Sequence, residues 1–250
     1  MTMQLANQPA VDAAAACDQI VQELLSCHGI VCPPVDALAL AEQLGLTVIY
    51  DAEQRGRARI KRLRGASAIF LQPDDRPERL QWATAHEIGE YLANEIMERL
   101  GLTVEGLASE PGQAQREQLA NEFAQRLLLP QAWFAADVAA VDADLTELKG
   151  IYSTASHELI LTSTLRLKEL SLVTIFDHGK LTRRRGNGQL APPRLLPIEL
   201  QVFQRVHQTG EPCELNDASV RVRGWPVHEP GWKRELLRTT PRDECVTGYD

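Results

Sequence analysis

Four side chains in this sequence have the types and spacing for metal-assisted chemistry. His86 and Glu87 lie within Thr84-Ala-His-Glu-Ile-Gly-Glu90, and Glu90 follows His86 by four positions. Positions i and i+4 share one helix face, so His86 and Glu90 can grip one cation while Glu87 serves as general base. The familiar version of this spacing is H-E-x-x-H, with two histidines on zinc; here glutamate stands at the second ligand position. Such a site needs a further ligand from elsewhere in the chain. Glu117 is the candidate. It precedes Ala120 by three and Ala124 by seven positions, so it extends their apolar stripe and is expected to point inward. Glu122, roughly 200° round from Ala120, is expected to face outward with Gln118 and Gln125. An inward carboxylate is costly unless paired; a metal shared with His86 or an arginine would serve.

Two helices must present these groups. For the first, Pro77 in the first turn, Glu78, and Asp75 as N-cap mark the start. Leu80, Ala85, Ile88, Leu92 and Ile96 recur at helical spacing as far as Gly101. A loop with Pro111 and Gly112 then leads to a helix over 113–129, stopped by Pro130. Upstream, a loose tail over 1–10 leads to a helix over 11–27. A short helix over 35–44 follows, stopped by Gly45, then strands over 46–50 and 66–71. Downstream, two helices flank a turn at Tyr152, and a hairpin turns at 177–179. A linker spans 186–197, a helix runs from Pro197 to Thr209, and short strands and turns complete the chain.

The 250 residues include 44% hydrophobic ones, enough for a sizeable core, and no apolar run reaches the ~18–20 residues of a membrane span. The start carries no basic segment and so no secretory signal pattern. The five cysteines, Cys17, Cys27, Cys32, Cys213 and Cys245, are odd in number and lack C-x-x-C spacing. They read as small buried hydrophobes rather than a disulfide framework or zinc knuckle, and the expected location is the cytoplasm. Net charge is −8. Residues 1–145 hold 11 basic and 21 acidic residues, residues 146–250 hold 15 and 13, and this asymmetry suggests two modules.

The sequence resembles the ImmA/IrrE family of zincin-like metallopeptidases. The carrying segments are Phe70-Leu-Gln-Pro-Asp-Asp-Arg-Pro-Glu-Arg79, Thr84-Ala-His-Glu-Ile-Gly, Glu117-Gln-Leu-Ala-Asn-Glu-Phe-Ala124 and Leu127-Leu-Leu-Pro130. Pro33 to Gly45 and Tyr152 to Arg185 also fit, so the likeness spans most of residues 30–185. It implies an α/β (α+β) fold: a zincin-like core over 1–145, a helix-turn-helix-like segment with hairpin over 146–185, and a C-terminal region over 186–250. It further implies His86, Glu90 and Glu117 as metal ligands and Glu87 as catalytic base. The family has His where this chain has Glu90. One nitrogen with two carboxylates can take Zn2+ but suits Mn2+ better, and a degenerate site would hold none. The implied function is an intracellular regulatory peptidase that acts on an XRE-type helix-turn-helix repressor in stress response or mobile-element control. The alternative is a pseudoprotease that binds such a repressor without cutting it; a third reading is a DNA-binding regulator.

Other stretches have plainer readings. Residues 146–185 carry seven basic and four acidic residues, too mild a bias to favour nucleic-acid contact. The basic run from Arg55 to Arg64 reads as an edge strand protected by charge. Trp225 and Trp232 read as packing residues. His28, His157, His178, His207 and His228 read as ordinary surface or loop histidines, with His228 in the Trp-flanked loop.

Overall fold

A computed structural model describes residues 8–63, 65–101, 110–188 and 194–242. The fold is α+β, and the chain divides into two compact units, 1–137 with 150–156 and 138–149 with 157–250.

In the first unit, α1 (Gln8–Cys27) and α2 (Ala37–Gln43) precede β1 (Thr47–Tyr50), β2 (Ala58–Leu63) and β3 (Ala66–Leu71). The strand order is β1-β3-β2, with β1 parallel and β2 antiparallel to β3. Residues 58–63 of the basic run thus form an edge strand. Long helices follow as α3 (Pro77–Arg99) and α4 (Glu110–Leu128), then α5 (Gln131–Ala140). Ile20, Leu40, Ile69, Leu71, Ile88, Ile96, Phe123 and Leu127 make the core from all three layers. Asp36 caps α2 by accepting from Leu38 and Ala39 N–H, and Gln81 of α3 binds Asp36 Oδ1 and Ala37 N–H. This ties α2 to α3. On the other side, buried Arg126 of α4 pairs with Asp18 of α1 and with Glu122.

Several expectations need correction. The N-cap of α3 is Arg76, not Asp75; Asp74 accepts from the Arg76 N–H at 2.9 Å and so braces the turn. Pro111 and Gly112 lie inside α4 rather than in a loop. A proline there is inexpensive because the first helical N–H groups have no intrahelical acceptor. Glu122 is half-buried against Arg126 instead of facing outward, because α1 packs on that side of α4. Of the four described cysteines only Cys17 is buried, and burial pushes its thiol up to about 12. Cys27 and Cys32 are exposed, at the end of α1 and in the turn beyond it. Cys245 and the tail 1–7 lie outside the described residues.

α6 (Leu145–Ile151) and α7 (His157–Ser163) flank the turn at Tyr152. In the second unit β4 (Leu172–Asp177), β5 (Lys180–Gly186), β6 (Cys213–Asn216), β7 (Val220–Glu229) and β8 (Trp232–Pro241) form an antiparallel sheet ordered β5-β4-β8-β7-β6. β7 and β8 are ten residues each, not short strands. β7 tolerates Pro226 because β6 pairs only as far as Gly224, so no ladder partner faces the proline on that side. α8 (Pro197–Thr209) packs on this sheet through Val202 and Val206, which close with Phe176, Val222 and Leu237 into a second core. Trp225 is buried in packing, with Arg223 over its ring.

Gly89 sets the spacing of α3 and α4. A Cβ there would lie 2.9 Å from Ala120 Cα and 3.0 Å from its carbonyl oxygen. Gly89→Ala should therefore destabilise by about 1–3 kcal/mol through overpacking, although alanine ordinarily stabilises a helix interior. A thermal melt several degrees below wild type is expected; an unchanged or raised Tm would refute the close approach.

Candidate metal centre

The site lies where α3 meets α4. His86, Glu87 and Glu90 come from one stretch of α3, and Glu117 from the first half of α4. Ligand atoms of His86, Glu90 and Glu117 lie within 4.8 Å of one another. His86 Nε2 is 3.5 Å from Glu117 Oε2. On the other side of the ring, Nδ1 and Asn121 Oδ1 are 3.2 Å apart, and Asn121 Nδ2 donates to Glu117 Oε1 at 3.2 Å. With the proton on Nδ1 donated to Asn121, the Nε2 lone pair faces Glu117. This is the way metal-binding histidines are generally fixed from behind. Asn121 thus orients two of the three candidate ligands.

Two features depart from expectation. Glu117 is not inward: its side chain is 61% exposed. Its angle on α4 is right, since it faces His86, but it sits about a turn before Ala120, where that buried stripe begins. Glu90 is already engaged. Arg116 Nε donates to Glu90 Oε2 at 2.5 Å, and its Nη2 donates to the Glu90 carbonyl at 2.7 Å. Arg116 was not foreseen from the sequence, although its place four residues before Ala120 puts it on the face of α4 that meets α3.

Glu87 is buried, and its Oε2 accepts the Ile60 N–H of edge strand β2 at 2.6 Å. Burial raises the carboxyl above its ordinary range. The Ile60 N–H and His86 pull the other way, while Glu90 and Glu117 add to the rise. The general-base candidate thus sits against the strand edge where an extended peptide could pair. Beside it opens a cleft of about 490 Å³, lined among others by Ile60, Lys61, Arg62, Glu90, Tyr91 and Arg116.

The donor set fits a divalent cation. One oriented imidazole nitrogen and the Glu117 carboxylate face one another, and Glu90 would complete the set with the oxygen Arg116 does not hold or by displacing Arg116. The remaining histidines take no part in this site. His207 and His228, read as ordinary surface or loop residues, lie within α8 and β7 instead, and both bond to buried Glu235. A hairpin register centred on 230–231 would have placed His228 and Glu235 on one face.

Residues 41–159 match the family model of the IrrE N-terminal-like domain, a peptidase family. No curated protein matches the sequence. Among solved structures, a Mycobacterium tuberculosis transcriptional regulator superposes with a TM-score of 0.62 at 15% identity, over 92% of this chain and 76% of that one. At that identity the likeness speaks for the fold. The described residues include no helix long and apolar enough to cross a membrane. His86, Glu87, Glu90 and Glu117 all fall inside the matched segment, and residues 41–159 therefore belong to the ImmA/IrrE family as an IrrE N-terminal-like domain.

Proposed function

We propose that the chain is a metal-dependent regulatory peptidase whose substrate is an XRE-type helix-turn-helix repressor, acting in the cytoplasm. The observation that carries this reading is the convergence of His86, Glu90 and Glu117 to within 4.8 Å, with Glu87 held at the edge of β2. A bound Zn2+ or Mn2+ would supply Lewis-acid polarisation of the scissile carbonyl and acidify a water. The chain's own residues do the rest. β2 offers an edge for an extended segment, and the neighbouring cleft takes its side chains. Glu87 exchanges the Ile60 N–H for the water, accepts its proton, and returns it to the leaving amine. Its raised pKa suits that shuttle, since a base and an acid are needed in turn.

A second reading is favoured by one observation: Arg116 neutralises Glu90 in the ligand position. In that reading the site is degenerate and the domain binds a repressor without cutting it. The DNA-binding reading loses support, because Arg183 pairs with Glu158 and Arg184 with buried Glu199, leaving fewer cations for phosphates.

Cleavage of a candidate repressor by metal-loaded protein should fall by about 10²-fold or more in Glu87→Gln; cleavage that survives the substitution would end the catalytic reading. Arg116→Ala should tighten zinc binding, measured by calorimetry, by up to about tenfold, or ~1.4 kcal/mol, since Glu90 is then freed. No change would show that Glu90 is not a ligand. If wild type binds the repressor without cutting and Glu90→His creates cleavage, the degenerate reading holds. Gel-shift at low salt should show no DNA complex; one that weakens steeply with salt would restore the DNA reading.

A further inference from the structure

Unit two contains a second cluster of histidine and carboxylate. Glu235 of β8 is fully buried, with 0% of its side chain exposed. His207 Nδ1 and His228 Nε2 each lie 2.8 Å from the same Glu235 oxygen, Oε1. The three ligand atoms lie within 4.8 Å of one another. Three elements supply them: the last turn of α8, β7 and β8. In the β7–β8 register, Glu235 lies opposite Pro226, two residues before His228, so both side chains fall on the face that α8 covers. Phe203, one turn before His207, stacks on its ring at 5.5 Å and 29°.

We propose that His207, His228 and Glu235 form a second metal site, for a borderline divalent transition ion such as zinc. Glu235 Oε2 is buried and has no hydrogen-bond partner among the described residues. A neighbouring buried carboxylate shows what full compensation looks like here. Glu199 receives Arg184 at 2.8 and 3.1 Å, the Thr239 hydroxyl at 2.6 Å and the Leu196 N–H at 2.7 Å. Among the described residues no guanidinium or ammonium pairs with Glu235, and its side-chain partners are the two imidazoles. A carboxylate bare at one oxygen costs free energy, and a divalent ion held against this carboxylate would lower that cost.

The donor set chooses the ion. Two imidazoles and one carboxylate suit zinc and its neighbours, whereas calcium and magnesium require oxygen ligands. Metal bonds of about 2.0–2.2 Å require small rotations of the three side chains. His207, 36% exposed, gives the ion a path from solvent and leaves coordination positions open. Binding pins the end of α8 to the hairpin.

The test uses the full-length, tag-free His86→Ala protein, stripped with chelator, so that the α3–α4 site is disabled. Calorimetric titration with ZnCl2 should give one equivalent, and the ring signals of His207 and His228 in NMR should move with it. Adding His207→Ala or His228→Ala should weaken binding by about a hundredfold, with circular dichroism melts confirming that each variant folds. His86→Ala protein that binds no zinc, zinc that leaves the His207 and His228 signals unmoved, or folded double variants that bind as tightly as their parent would each overturn the site. Glu235 would then be a carboxylate satisfied by two histidines alone. Because this site shares no residue with the α3–α4 site, its failure leaves the peptidase reading intact.

Discussion

Gly89 carries no side chain, and the backbone of Ala120 fills the space where one would lie. The geometry of the candidate metal site depends on that approach. His86 lies about a turn before Gly89 on α3 and Glu90 directly after it, and Glu117 lies one turn before Ala120 on α4. Separating the helices by a methyl group would lengthen the His86–Glu117 distance of 3.5 Å and the two Asn121 bonds that orient those ligands. Interiors pack too densely to absorb such a shift locally. The neighbours of the crossing are therefore as constrained as the ligands: Phe123 and Ala124 below, Ile88 and Ala85 opposite, and α1 beyond, held by the Arg126 pairs.

Placing three carboxylates and a histidine at one crossing creates a charge problem, and the chain treats each carboxylate differently. Glu87 is buried, takes a backbone N–H and has its carboxyl pushed up. Glu117 stays in water, where its charge is inexpensive. Glu90 takes Arg116, and because that pair is only partly buried, water screens much of its strength. An ion pair of modest strength can be displaced by a divalent cation, whereas a deeply buried one would resist. Arg116 therefore offsets one of the three carboxylates, and it is the group that a cation drawing on Glu90 would compete with.

How much of this could be read from the sequence depended on whether the controlling physics is local. β3 and α8 fall at their expected boundaries because apolar runs and flanking proline and glycine define both ends. The pairing of His86 with Glu90 follows from helical spacing alone. Glu117 shows the limit. Spacing on a helix gives the angle of a side chain, and that angle was right; it does not say how far along the axis the partner helix provides cover, so depth was wrong. β7 was hidden because Gly224 and Pro226 look like strand breakers. Gly224 is required because a Cβ would lie 2.7 Å from Val202 Cγ1 of α8, and Pro226 is allowed because β6 has already ended. Both reasons are tertiary.

The same distinction explains why the Glu235 cluster escaped notice. His207 and His228 are separated from each other by α8's end and β6, and no short motif joins them; only the register of β7 on β8, with α8 laid across, brings them to one oxygen. The buried carboxylates Glu199 of α8 and Glu235 of β8 then pose one question with two answers. Glu199, at the start of α8, is met by a guanidinium, a hydroxyl and an amide, so it needs nothing further. Glu235, beneath the helix's last turn, is met by imidazoles at one oxygen and by nothing among the described residues at the other. Imidazole differs from guanidinium in that it can give up its proton and offer a lone pair. A buried carboxylate flanked by guanidinium is closed to metal, and one flanked by two imidazoles is open to it. The choice of histidine over arginine at positions 207 and 228 is thus what separates a structural ion pair from a site able to bind.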